Sequence, residues 1–488
     1  MEANSLIQKS QKKQKLNEQQ DIDGNSKCLG NLPEEILRHI LSFLPTQDAF
    51  MTSVLSKRWE YLWASIPNLD FDILHSWHPN KRRNRTLFMN FVDRVFCLRD
   101  SSDIKRFTFC CDVLSAASRV NTWVISAVRH NVQELHIELQ NCKGEFSLPY
   151  CLFTCKTLRS LDLDVRCILK LPTTVCFSNL KILTIGKVTF SNDYLTHQFF
   201  SGLPVLEKLK LNGCYWGGLK VLRISGPKLH FLRIGEFERE NLSFRDGCQV
   251  MIFGVSLKEF NYCGSLLSKY CLYESLSLEK ADIHIGYVNT SAQIAHRMYK
   301  LLTGLCNVEF LRLSPNVVKV LIHATQLLPH MPMFNNLVDL KFSASTYGFH
   351  FGGTSVDLDC EALLKILRRF PCLENLEFLG GLTLSSNCEE DDRILEPAPP
   401  CFSSHLKWIK VYYYDGDKKK LSAIKILLKK AVVLEKIVLI SSLYPRKNLD
   451  NQVKVVCKQL MELPRGSQNC KIVLDWYDPS AKRREIVL

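Results

Sequence analysis

The sequence predicts an α/β chain: a short helical module near the N-terminus, then an irregular solenoid of repeated strands, then a smaller α/β cap. Two patterns lead there. Apolar residues at i, i+1, i+4, i+5 and i+8 follow Leu32-Pro33, which is helical spacing. From residue 66 onward an apolar-x-x-apolar-x-apolar string recurs, and its i, i+2 pair marks a strand with one buried face. The 488 residues, 46% hydrophobic and 23% charged, can hold two or three domains or one long array with a large core. That composition excludes wholesale disorder and a collagen-like fibre.

Residues 1–27 are rich in Gln, Lys, Asn and Asp and are expected to be disordered. Lys12, Lys13 and Lys15 form a short basic cluster of the kind that directs nuclear import. The N-terminus lacks the apolar core of a secretory signal, and no run of about 18 apolar residues predicts a membrane span. The net charge, 63 − 49 = +14, permits an acidic partner, and no nucleic acid is expected. The densest basic cluster, Lys81, Arg82, Arg83 and Arg85, has no interleaved aromatics and reads as a solvated loop. The 20 cysteines form no CxxC pair, and many sit in apolar segments. They read as reduced, buried thiols of a protein in the nucleus or cytoplasm. The 13 histidines show no ligand spacing, so neither metal nor cofactor is expected.

Pro33 suits a first helical turn, where its missing N–H costs nothing. Glu34 and Glu35 follow where negative charge suits the helix dipole. Ile36, Leu37, Ile40, Leu41 and Leu44 then draw an apolar stripe, and Pro45 ends it. A second helix is predicted from Thr46, carrying Ala49, Met51, Val54 and Leu55, and a third over 56–63. A unit of about 35 residues buries too little apolar surface to stand alone. Each large apolar side chain left in water forgoes roughly 1.5–3 kcal/mol. The module must therefore pack on the rest of the chain or on a second protein.

Leu32-Pro33, that stripe and Val54-Leu55-Ser56-Lys57-Arg58-Trp59 resemble an F-box over residues 28–68. The resemblance implies a three-helix module that docks a Skp-type adaptor, with contacts from Leu32, Pro33, Ile36, Leu37, Ile40, Leu41, Leu44, Val54, Leu55 and Trp59. Through the adaptor it implies a link to a cullin.

The repeated string reads Leu158-Leu161-Leu163, Leu180-Leu183-Ile185, Leu206-Leu209-Leu211, Leu219-Leu222-Ile224 and Leu229-Leu232-Ile234. It continues as Val308-Leu311-Leu313, Leu337-Leu340-Phe342, Leu373-Leu376-Phe378, Leu406-Ile409-Val411 and Leu434-Ile437-Leu439, with weaker copies from Ile66, Ile104, Val132 and Leu257. This is the signature of leucine-rich repeats, expected over residues 69–397. Candidate convex-side helices lie at 117–130, 291–303 and 360–370. The middle x of each string points away from the buried leucines. Six of twelve such residues are Lys or Arg, and Lys210, Arg223, Arg233, Arg312 and Lys341 predict a basic stripe on the concave face. Such a stripe favours an acidic or phosphorylated segment of a protein substrate.

The acidic run Glu389-Glu390-Asp391-Asp392, followed by Pro397, Pro399 and Pro400, breaks the array as a surface loop. A strand, an amphipathic helix at 419–431 and further strands to residue 474 follow. This order is similar to the FBD domain, over residues 398–475, with a C-terminal tail at 476–488. The FBD similarity implies an α/β cap on the open end of the solenoid.

No P-loop, GxGxxG, HExxH or GxSxG occurs, so no catalytic site is expected. The combined resemblance, to plant F-box/leucine-rich-repeat proteins with a C-terminal FBD domain, implies a substrate-recognition subunit of an SCF-type cullin–RING ubiquitin ligase. Other subunits carry the transfer chemistry, and this chain supplies proximity. Two alternatives stay open: a non-degradative F-box scaffold, and a small-molecule-sensing leucine-rich F-box receptor.

Overall fold

A computed structural model describes residues 32–72, 85–112, 117–140, 144–216, 218–236, 247–286, 291–343, 358–384, 397–441, 449–476 and 484–488. The expectations for residues 1–27, for the basic cluster at 81–83 and for the acidic run at 389–392 lie outside them. The chain forms two compact units, Met1–Arg166 and Cys167–Leu488.

The first unit opens with helices α1 (Glu34–Leu41) and α2 (Thr46–Met51). Each begins after a proline whose extended backbone sets the entry. The third helix expected over 56–63 is not formed. Short 3-10 turns stand at Thr52–Val54 and Leu62–Ser65 instead. The amides of Trp59 and Ala64 donate to Ser56 O and Tyr61 O, both at 3.0 Å, and Glu60 O accepts the Trp63 indole N–H at 2.9 Å. The chain therefore winds through i→i+3 bonds, which bring Trp59, Leu62, Trp63 and Ala64 inward.

Strands β1 (Asn68–Asp72), β2 (Arg106–Asp112), β3 (Glu134–Gln140) and β4 (Ser160–Val165) follow, each parallel to the next. Helices α3 (Arg85–Leu98) and α4 (Ala117–Arg129) make the first two crossovers. An aromatic layer joins the module to this sheet: Phe50 meets Trp63 at 5.0 Å and Phe91 at 5.5 Å, and Phe91 meets Phe71 at 5.9 Å. The buried Thr46 hydroxyl accepts the Asp70 amide at 2.7 Å, and Arg99 donates to Ile66 O at 2.7 Å. One side of the helical module is thus covered by its own chain.

In the second unit the weak and strong repeat copies alike become parallel strands. The main sheet runs β5 (Ile182–Gly186), β6 (Lys208–Asn212), β8 (Phe231–Gly235), β10 (Glu259–Gly264), β12 (Lys280–Ile285), β13 (Phe310–Leu313), β14 (Asp339–Phe342) and β15 (Asn375–Phe378). Strands β7 (Val221–Ser225), β9 (Gln249–Phe253) and β11 (Lys269–Tyr273) form a second, three-stranded sheet. There the chain returns between main-sheet strands through another strand, not a helix. The short steps from Leu206 to Leu219 and from Leu219 to Leu229 leave no room for a helical return.

Helices α5 (Asp193–Ser201), α6 (Ala292–Thr303), α7 (Pro315–His323) and α8 (Cys360–Leu367) serve the longer repeats. The expected cap is built as more of the same sheet. Strands β16 (Trp408–Tyr414), β17 (Lys436–Ser441) and β18 (Lys471–Trp476) stay parallel, with α9 (Lys418–Lys430) and α10 (Leu449–Met461) as crossovers. A final strand, β19 (Arg484–Val487), pairs antiparallel with β18. No helix among the described residues is long and apolar enough to cross a membrane.

Candidate protein-docking surface

The five apolar residues of the α1 stripe divide into two rows. Leu37 and Leu41 point inward and are fully buried. Ile36, Ile40 and Leu44, one position earlier or three later, point outward and are 45%, 38% and 37% exposed. Phe43 joins them at 74% exposure. Met51 at the end of α2 and, beyond it, Val54, Leu55 and Tyr61 are also open to water. Eight of the 24 exposed large apolar residues among those described fall within residues 36–61. Scattered surface leucines are ordinary, but this concentration marks a site.

The geometry corrects the contact set expected from sequence. Leu37, Leu41 and Trp59 are held inside the unit, and they form the floor that positions the outer row. Leu32 is half-buried and Pro33 exposed. The Arg58 guanidinium donates to the Leu32 carbonyl, tying the start of the module to its far end. Phe43, Met51 and Tyr61 are not among the contacts expected from sequence. Phe43 lies three residues beyond Ile40, so extending the stripe by one turn reaches it.

The second candidate surface is the outward face of the main sheet in the second unit. Its central row, read across the register, is Thr184, Lys210, Arg233, Asn261, Asp282, Arg312, Lys341, Glu377 and Lys410. Two corrections follow. Arg223 lies on β7 in the three-stranded sheet, in register with Met251, so it is not in this row. The stripe is also not uniformly basic. Arg312 pairs with Asp282 at 3.1 Å, and Lys341 and Lys410 share Glu377 at 2.7 and 3.6 Å. Burial holds the Asp282 carboxyl above its ordinary range, and Arg312 offsets part of that. Burial also pulls Glu377 upward, but Lys341 and Lys410 outweigh it and leave it below the usual carboxylate range. Phe310 sits under Arg312 and Lys341, with both charges within 6 Å of the ring. A hollow of about 240 Å³ opens beside these groups, lined by Glu259, Asn261, Asp282, Phe310 and Arg312.

Comparison with known proteins agrees with this architecture. The F-box domain family matches residues 29–71, and the FBD family matches residues 396–439. Residues 120–252 match the LRR repeats of FBD-associated F-box protein At5g56370. F-box/LRR-repeat protein At3g59210 of Arabidopsis thaliana is 30% identical over 481 residues, covering 92% of this chain and 95% of that protein. F-box/LRR-repeat protein At4g14103 of the same plant is 31% identical over 373 residues, covering 74% and 93%. F-box/FBD/LRR-repeat protein At5g56420, also from Arabidopsis thaliana, is 28% identical over 458 residues, covering 92% and 98%. Similarity of this extent means that the chain belongs to the F-box/LRR-repeat protein family.

Proposed function

We propose that this chain is the substrate-recognition subunit of an SCF-type cullin–RING ubiquitin ligase. The observation that carries the reading is the outer row Ile36, Ile40, Phe43 and Leu44 with Val54 and Leu55, exposed on a module whose inner side is already packed. A Skp-type adaptor covering that row removes large apolar groups from water, and clustered apolar anchors dominate such interfaces. The cullin is reached through the adaptor. The chain has a non-enzymatic role, presenting a target to the transfer machinery of other subunits. The nucleus or cytoplasm is the compartment proposed.

The target is read by the main-sheet face. Lys210 and Arg233 stand side by side in register and suit an acidic or phosphorylated group. The paired charges from Asp282 to Lys410 suit a partner of mixed charge.

Adaptor co-purification with the full chain tests the docking surface. Ile40→Glu combined with Val54→Glu is expected to weaken adaptor binding by about 100-fold or more while thermal unfolding stays in place. Retained binding overturns the assignment. Target ubiquitylation by the wild type and not by this variant separates a ligase subunit from a scaffold without degradation.

A further inference from the structure

The outward face of the first unit's sheet is chemically unlike that of the second. Across β1 to β4 one row is Asp70, Thr108, His136 and Asp162, and the next is Asp72, Cys110, Glu138 and Asp164. A thiol, an imidazole and a carboxylate meet here: the ligand atoms of Cys110, His136 and Glu138 all lie within 4.8 Å of one another. We propose that Cys110, His136 and Glu138, completed by Asp72, bind a zinc-like divalent transition-metal ion.

Four observations point the same way. The donor set mixes sulfur, nitrogen and oxygen, which suits zinc and not the all-oxygen shells of magnesium or calcium. Metal–ligand bonds of roughly 2.0–2.3 Å in a tetrahedron put ligand atoms about 3.3–3.8 Å apart, so closure needs a contraction of about 1 Å. Side-chain rotation supplies that, because the groups stand on three hydrogen-bonded strands, with Asp72 opposite Cys110 and Cys110 opposite Glu138. The imidazole is also oriented: His136 Nδ1 lies 3.1 Å from Asp162 Oδ2, so its Nε2 is left for a metal. A carboxylate behind a ligating histidine is the usual outer-shell support of such sites.

The fourth observation is charge. Asp70, Asp72, Glu138, Asp162 and Asp164 crowd this face, while the neighbouring Arg106 is drawn to Glu134 at 2.7 Å. A bound divalent cation inverts that balance. On binding, Cys110 releases its thiol proton to solvent as the sulfur–metal bond forms. His136 binds as the neutral imidazole with its Nδ1–H toward Asp162.

The test is titration of the chelator-treated full chain with cobalt(II), with zinc(II) as competitor. One equivalent is expected, with a thiolate-to-cobalt charge-transfer band in the near ultraviolet that zinc abolishes. Cys110→Ser should lose the band, while Cys176→Ser, at an exposed thiol elsewhere, should keep it. Asp162→Asn should weaken affinity by about 10–100-fold through the outer shell. Cys110 is buried, so Glu138→Gln, at a half-buried position, is the variant safest for folding. It should weaken binding at least about tenfold with unchanged circular dichroism. Absence of the band in the wild type, its survival in Cys110→Ser, or unchanged affinity in Glu138→Gln overturns the site.

Discussion

Residues 36–61 leave eight large apolar side chains in water, whereas a knot around Glu236 in the second unit takes a carboxylate and a guanidinium out of it. Both depart from the ordinary distribution of side chains, in opposite senses. The knot is answered within its own unit. Glu236 accepts from Tyr262 at 2.5 Å, Tyr270 at 2.6 Å, and the amides of Leu267 and Ser268 at 2.9 and 3.2 Å. Arg297, from α6, donates to the carbonyls of Leu266 and Leu267 at 2.7 and 2.8 Å. Burial, with the Glu236 charge behind it, pushes both phenols well above their ordinary value, so they remain donors. Among the described residues, the apolar row of α1 has no comparable cover on its outer side. A buried charge held by such bonds serves the fold, and the exposed apolar row over a packed floor is the surface proposed for a partner.

Breaking the knot is expected to give the largest effect. Glu236→Ala strands four donors in the interior and should destabilise the second unit by about 3–5 kcal/mol. Denaturant unfolding of the full chain measures it, and a loss below about 1 kcal/mol would mean that water replaces the carboxylate. The adaptor binding proposed for the first unit should survive. The outer row predicts the reverse. Ile40→Ala and Val54→Ala should each change stability by no more than about 0.5 kcal/mol. Each should nevertheless weaken adaptor binding by about tenfold. A large stability loss in either would place these side chains in the core instead.

What the sequence disclosed follows the same division. Strands were legible wherever leucines kept a period of two, and even the weak copies at Ile66, Ile104, Val132 and Leu257 lead into strands. The candidate convex helices were legible from amphipathic spacing, and they appear as Ala117–Arg129, Ala292–Thr303 and Cys360–Leu367. Which of two sheets a strand joins was not legible from its pattern, and Arg223 was misplaced for that reason. Only the short steps around Leu219 carried the signal. The partner of Arg312 was missed because β12, Lys280–Ile285, carries its inward residues as Ala281, Ile283 and Ile285 and so lacks the leucine string. The Cys110–His136–Glu138 group escaped because it is assembled by register between strands 26 or more residues apart. On α1, the split of the stripe into Leu37/Leu41 and Ile36/Ile40/Leu44 was implicit in the spacing, since adjacent residues stand about 100° apart. Which row faces inward depends on the turn Leu62–Ser65, against which α1 packs, and that turn lies beyond the helix.

The smallest expected effect concerns a buried polar group that differs from Glu236 in what surrounds it. His284 on β12 is 4% exposed, and burial alone lowers its affinity for a proton below the ordinary value of 6.5. The unfolded chain takes up that proton near pH 6.5, while the folded chain takes it up only at lower pH. In the window between the two values the unfolded state binds more protons, so stability falls as pH falls. His284→Leu removes the titrating group and should flatten this part of the curve relative to the wild type, read by thermal unfolding from pH 7.5 down to about pH 5. Parallel curves for the two proteins would mean that the imidazole gains enough from its neighbours when charged to offset its burial. Burial would then impose no net cost on the charged imidazole.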